Sequence, residues 1–420
     1  MSIILPLVEL TDKNKEKCYE ISCIQHKNRI LEPYKITNSS IYLPFAFAIQ
    51  TLGLKRPRRD SGVSFTSKFV GKLRDEQKEV KKEAIKYLNK DGCVLLALRI
   101  AFGKTVLSIN LACTIKMKTL IVVHKLVLIK QWKESIESFC KGRIQVLNSR
   151  SAFDDECDFF IMNAVNIPKM GHKFFKSIGC LIVDECHCIM AEQISYLMNY
   201  IQPRYLIGLS ATPYRNDDLN ILLDLYFGER KIIRKLHHPH KVFVVYTQFK
   251  PEIKVTDTGR VDYNHILDSL SKSVERNDII IDIIKDFPDR CFLVLVKRLH
   301  QGNYLYERLL ELGEKVDTLL GKKQDFDKNT RILIGTSSKV GTGFDHKKLD
   351  TLILAAPIKD YYMQTIGRIM RTKDKEPYVF DLVDKNPILL KHYKLRKEIY
   401  NETGGEVSAY STRLLKKNKS

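Results

Sequence analysis

The chain is short of acid: its 420 residues hold 49 Asp and Glu against 70 Lys and Arg, for a formal net charge of +21. Two readings of that imbalance stay open. One is a partner with a phosphate backbone, whose counterions are released on binding; the other is a Lys-, Ile- and Asn-rich coding bias that makes a basic surface. Metal-ribbon spacing is also missing. The ten cysteines are scattered without a CxxC pair, and Cys186 and Cys188 flank His187 with no further ligands nearby. Buried, reduced thiols are the better reading, which suits an intracellular compartment. No charged n-region leads into an apolar core and cleavage site. The longest apolar stretch near the start, 41–54, is too short to span a bilayer and contains Pro44. A soluble, intracellular protein without a membrane partner is expected. Tryptophan is all but absent, and the one residue present, Trp132, is expected to pack in a core.

What is there suffices for two or three domains, with 44% hydrophobic residues. Residues 1–65 carry no phosphate-binding signature and end in a basic, turn-rich stretch, Leu54-Lys-Arg-Pro-Arg-Arg-Asp-Ser-Gly62, read as an accessory region and linker. Between 66 and 230 short apolar runs alternate with amphipathic stretches. Buried strands are predicted at 93–98, 119–123, 158–162, 179–183 and 205–209. The rhythm weakens over 231–265, read as a connector. It resumes over 266–420 with strands predicted at 291–296, 331–335, 351–355 and 378–382, followed by a basic tail. Strand and helix in alternation predict an α/β fold with parallel sheets in two tandem domains. No internal repeat is strong enough to quote.

Three clusters carry chemistry. After the strand at 93–98 comes Arg99-Ile-Ala-Phe-Gly-Lys-Thr105 and then a helical run. Such a turn aims backbone N–H groups of Ala101, Phe102 and Gly103 at phosphates, with Lys104 on the β and γ phosphates of ATP and the Thr105 hydroxyl on Mg²⁺. Leu98 stands where the phosphate-loop pattern has its first glycine, so three matching residues are weak evidence alone. Downstream, Gly179-Cys-Leu-Ile-Val-Asp-Glu-Cys-His187 is an apolar strand ending in two carboxylates. Asp184 can bind Mg²⁺ through water, Glu185 can polarise the attacking water, and His187 is placed to sense the γ phosphate. A solvated acidic turn is the bland alternative, much weakened by the phosphate loop upstream. Third, Gln364-Thr-Ile-Gly-Arg-Ile-Met-Arg371 sets Arg368 and Arg371 on one helix face. Guanidiniums aimed at a γ phosphate neutralise charge developing in phosphoryl transfer.

Taken together, these residues resemble superfamily 2 helicases of the DExH type, with Asp184-Glu185-Cys186-His187 as motif II and Gln364 to Arg371 as motif VI. The resemblance covers roughly residues 70 to 390 in correct motif order. It implies two RecA-like domains that split ATP at a shared cleft. The family's phosphate loop has glycine where Ala101 stands. By the same resemblance Ser210-Ala211-Thr212 is motif III, coupling hydrolysis to domain movement, and Gln77 contacts adenine. His124 and Lys125 fall in motif Ia, Lys297 in motif IV, and Thr342 in motif V, all on the nucleic-acid backbone; Asp345 of motif V faces ATP. Residues 378–384 resemble the closing strand of the XPB and RadD branches. That neighbourhood, with UvsW and the transcript-release helicases of large DNA viruses, implies DNA in preference to RNA. It also implies a place in replication, repair or transcription machinery and, for a viral protein, a host cytoplasmic replication site or the virion. Two rivals stand beside it: a degenerate helicase that binds without hydrolysis, and a motor subunit that does not unwind by itself.

Overall fold

The computed structural model describes all residues except 22–23, 27–28, 32, 58–64, 100–101, 193–199, 212–219, 324, 341–345, 347, 359–365, 368, 371–374 and 418–420. At 24–26, 29–31, 172–173, 190–192 and 338 it describes backbone only. The chain divides into two units, Met1–Lys235 and Leu236–Ser420.

The first unit begins with β1 (Ser2–Pro6), α1 (Asp12–Glu20), the hairpin β2 (Ile24–His26) and β3 (Arg29–Leu31), then β4 (Lys35–Ile36) and β5 (Ser40–Pro44). Strands β1, β5 and β4 form an antiparallel sheet in that order. Ile3, Leu5, Ile41, Leu43 and Phe45 are buried in one cluster with Leu222, Tyr226 and Phe227, so the N-terminal region shares a core with the remainder of the first unit. Its exit is fastened too: Arg56 donates to the carbonyls of Leu88 and Asn89 at the end of the next long helix.

After β6 (Lys68–Phe69) come α2 (Asp75–Asp91), β7 (Cys93–Leu98), α3 (Lys104–Ile115), β8 (Thr119–Val123) and α4 (Leu126–Phe139). They are followed by β9 (Cys140–Lys141), β10 (Ile144–Leu147), β11 (Phe159–Asn163), β12 (Cys180–Val183), α5 (Cys186–Glu192), β13 (Tyr205–Ser210), α6 (Asn220–Phe227) and β14 (Lys231–Arg234). Seven of these strands make a parallel sheet in the order β10-β11-β8-β12-β13-β7-β14. Every residue of β7, β8, β11 and β12 is buried, which is why these strands read as unbroken apolar runs.

The second unit contains β15 (His240–Tyr246), α7 (Tyr263–Lys272), α8 (Val274–Asp286), β16 (Phe292–Val296), α9 (Leu299–Glu311), β17 (Val316–Leu319) and β18 (Ile332–Thr336). It continues with β19 (Thr351–Leu354), β20 (Tyr378–Val383), α10 (Pro387–Glu402) and β21 (Gly405–Ala409). Its parallel sheet runs β17-β18-β16-β19-β20-β15-β21. Set side by side, the two orders are the same: in each unit the chain visits the sixth place, then the third, first, second, fourth, fifth and seventh. The repeat that is invisible in the sequence is explicit in the topology, and the α/β architecture of two tandem RecA-like domains is as expected. Stretch 231–265 supplies the edge strand β14 to one sheet and β15 to the other. Among the described residues no helix is long and apolar enough to cross a membrane.

Because all strands of a sheet run the same way, their C-terminal ends share one edge, and the loops leaving that edge are brought together. In the first unit those loops carry Lys104, His124, Asp184, Glu185 and Ser210.

Candidate active site

The phosphate-loop segment leaves β7 at Leu98, whose side chain is buried, so the missing glycine is a strand residue here. The Arg99 N–H donates to the Arg234 carbonyl at 2.9 Å, and Phe102 N–H to the Arg99 carbonyl at 3.2 Å. Gly103 then caps α3 in the left-handed conformation, φ +86°. A Cβ there would lie 2.5 Å from Nε2 of Gln77, so only glycine fits. Gln77 is buried, and its Nε2 donates to the Phe102 carbonyl at 2.9 Å while its Oε1 accepts from Arg74 N–H at 2.9 Å. The Gln77 amide therefore braces the loop from behind. Arg74 also donates to the Phe102 carbonyl, and the guanidinium of Arg99 lies 5.7 Å from the Phe102 ring centre. The Phe102 ring is core, and its backbone N–H and carbonyl are both engaged within the protein. Lys104 Nζ donates to the Leu98 carbonyl at 3.3 Å, and Thr105 follows on the first turn of α3.

Across the edge, β12 ends at Val183 and the next two residues are the carboxylates. Asp184 is 8% exposed. Its Oδ2 accepts from the indole Nε1 of Trp132 at 2.8 Å, and its Oδ1 accepts from the Glu185 N–H at 3.0 Å. Burial first, and then the charge of Glu185, push Asp184 up to about 6 against the opposing pull of Trp132 and Lys104. Glu185 has φ +47°, a conformation that costs about 1–3 kcal/mol for a residue with a Cβ and clusters at functional sites. Its Oε2 is buried without a hydrogen-bond partner; His187 Nδ1 lies 3.5 Å away, outside bonding alignment. His187 Nδ1 is hydrogen-bonded instead to Ser210 Oγ at 3.0 Å, joining the turn after β12 to the end of β13. A buried acid with a raised pKa, beside a second acid whose oxygen lacks a donor, fits a bound cation and its water.

Several expected residues take defined places. Ala211 follows Ser210, half-buried, at the same edge. His124 is held near pKa 4 by burial, Lys125 and His187, so at neutral pH its imidazole carries no charge. Lys125 is the N-cap of α4, and Lys297 is exposed just after β16. Ala101, Thr212, Thr342, Asp345, Gln364, Arg368 and Arg371 lie outside the described residues. Of the last segment, Ile366 and Ile369 are described and buried in the core of the second unit. Trp132 is the residue that sequence reasoning undervalued. It packs in the core as expected, yet its one polar atom holds a site carboxylate. Its position seven residues after Lys125 of motif Ia, as the lone tryptophan, is the signal that the sequence offers.

Residues 71–215 match the family model for the type III restriction enzyme res subunit. "Putative helicase 161L" of Invertebrate iridescent virus 6 is 43% identical over 405 residues, covering 90% of this chain and 91% of that protein. "Putative ATP-dependent RNA helicase L396" of Acanthamoeba polyphaga mimivirus is 28% identical over 81% of this chain and 70% of its own length. "DNA 3'-5' translocase XPB2" of Sulfurisphaera tokodaii is 25% identical over 61% of this chain and 57% of its own. Among solved structures, Dbp5 of S. cerevisiae matches with a TM-score of 0.58 at 13% identity, over 81% of this chain and 91% of that one, a likeness of fold. With this fold and these relatives, the chain belongs to the superfamily 2 helicases, among those of large DNA viruses, and is an ATP-hydrolysing, nucleic-acid-dependent enzyme.

Proposed function

We propose that the enzyme is a DNA motor that splits ATP between its two units and moves along a strand with each cycle. The observation that carries this reading is the convergence of Lys104, Asp184, Glu185, His187 and Ser210 on one edge of the first sheet. Lys104 binds the β and γ phosphates, and the loop amides up to Gly103 orient them. Thr105 and Asp184 would hold Mg²⁺, which would supply charge neutralisation on the phosphates. Glu185 accepts the proton of the water that attacks the γ phosphorus as the bond to the β-phosphate oxygen breaks, giving ADP and phosphate. His187 passes the state of the γ phosphate to Ser210 through their hydrogen bond. Arg368 and Arg371 complete the site from the second unit, with Gln364 in the same segment and Asp345 on the ATP side. Lys125, Lys297 and Thr342 grip the strand backbone, so affinity is high and base selectivity low.

DNA is the first choice because the motif order and the relative named as a DNA translocase both favour it. RNA is the second reading, favoured by the mimivirus relative named as an RNA helicase. ATP hydrolysis measured with matched single- and double-stranded DNA and RNA decides between them. Stimulation by DNA above RNA is expected. Stimulation by RNA alone transfers the assignment to the second reading, and absence of hydrolysis with every strand overturns both.

A further inference from the structure

Helix α4 links two places that the proposed mechanism uses separately. Its first turn follows Lys125 and is open, with Leu126 73% and Val127 45% exposed. Seven residues after Lys125, about 10 Å along the helix, Trp132 is buried and donates to Asp184 Oδ2 at 2.8 Å. The rest of the buried face, Leu128 and Ile136, is apolar, so the indole N–H is the one directional contact this face makes with the carboxylate pair. An indole N–H left without an acceptor in a core is costly, so the bond persists through small movements and Asp184 moves with the helix.

We propose that Trp132 is a positioning residue through which α4 reports nucleic-acid contact at its open N-terminal turn to the carboxylate that holds the cation. This rests on the reading above, with Asp184 as the Mg²⁺ carboxylate and Lys125 on the strand. Strand contact shifts α4, the indole carries Asp184 into register for Mg²⁺, and nucleotide binding tightens. By linkage, nucleotide tightens the grip on the strand to the same extent.

Trp132 is the only tryptophan in the chain, so it is its own reporter. The full chain carrying 5-fluorotryptophan gives one ¹⁹F resonance. That resonance should shift on adding Mg²⁺ with a non-hydrolysable ATP analogue, and shift again on adding the stimulating oligonucleotide. In equilibrium titrations, the strand should tighten binding of the Mg²⁺–analogue by about 5-fold or more in the wild type. In Trp132→Phe, which keeps a ring but no donor, that gain should fall below about twofold while the Mg²⁺ needed for half-saturation rises several-fold. Ile136→Val thins the same helix face without touching the bond and should keep the gain. A resonance unmoved by analogue and strand that both bind, or a full gain in Trp132→Phe, overturns the role of Trp132 and leaves the motor reading standing. Equal loss of the gain in Ile136→Val also overturns it, since packing alone would then suffice. No binding of the analogue at all overturns the motor reading and this proposal with it.

Discussion

The two sheets have the same strand order but treat one pair of buried acids each, Asp184 with Glu185 and Asp381 with Asp384, in opposite ways. In the second unit, just after β20, Asp384 is clasped by Arg276, with Nε to Oδ1 at 2.8 Å and Nη2 to Oδ2 at 3.0 Å, and it accepts a further bond from Thr247 Oγ1 at 2.6 Å. Asp381 is held the same way by Arg396 at 2.9 and 2.8 Å and by the Tyr400 hydroxyl at 2.5 Å. The two arginines also donate to the carbonyls of Ala355 and Ile358, the chain that leads into the arginine-bearing segment. In the first unit, Asp184 receives one indole and one backbone N–H, and Glu185 Oε2 receives no donor. Neither forms an ion pair with Lys or Arg among the described residues. A buried acid saturated by a guanidinium is scaffold. Asp158 of the first unit is scaffold as well, its Oδ2 taking four donors from Thr66 and Ser67. A buried pair with neither an ion-paired guanidinium nor a full set of donors holds its place for a ligand that brings positive charge.

The comparison can be broken from either side. Arg368→Ala should cut strand-stimulated turnover by about 10³–10⁵-fold with nucleotide binding retained, and a steady-state assay showing less than tenfold loss would mean the second unit does not complete the first. Glu185→Gln removes only the proton acceptor. It should cost about 10²–10⁴-fold in kcat while fluorescence anisotropy finds strand binding unchanged. Arg276→Ala strands Asp384 in the core and should destabilise the second unit by about 3–5 kcal/mol in denaturant unfolding; a loss within experimental scatter would deny that this pair is scaffold.

Asp184→Asn, which gives up one of the two accepted bonds but removes the buried charge, should do the reverse and stabilise the nucleotide-free protein at neutral pH. Burial and Glu185 raise the folded-state pKa from the ordinary 3.8 to about 6, so the folded state holds this proton more tightly than the unfolded chain. The stability that the shift contributes is complete below pH 3.8 and is lost as pH rises through about 6. At pH 7.5 the wild type therefore carries the full cost of an ionised, buried Asp184, and the substitution should raise the melting temperature by roughly 2–4 °C per kcal/mol recovered. The gain should shrink as the pH is lowered toward 4. A gain independent of pH would mean that packing, and not charge, separates the two proteins.

Legibility followed burial. The nine strands foreseen from apolar runs are present within a residue or two, because each is covered on both faces and spells that out. Strands β10, β14, β17 and β21, the four outer strands of the two sheets, went unforeseen, and so did the interior strand β15, whose buried residues alternate with half-buried ones in the stretch read as a connector. An edge strand buries part of itself and keeps charges such as Lys231, Arg234 and Glu406, so its period is blurred. At the site, Lys104, Asp184, Glu185 and His187 were readable because their chemistry is local in sequence. The Trp132–Asp184 bond joins residues 52 apart, and the Gln77 brace on Phe102 spans 25. Such contacts depend on which strands become neighbours, which no local pattern records.

The central claim is that one triphosphate is held by the first unit and completed by the second. An ATP analogue with a photoreactive γ-phosphate, cross-linked in the presence of Mg²⁺ and the stimulating strand and mapped by mass spectrometry, tests it most directly. Adducts should appear both around Lys104 and in the 364–371 segment, and those in that segment should disappear when Lys104→Ala abolishes binding. Adducts confined to the first unit would contradict the account.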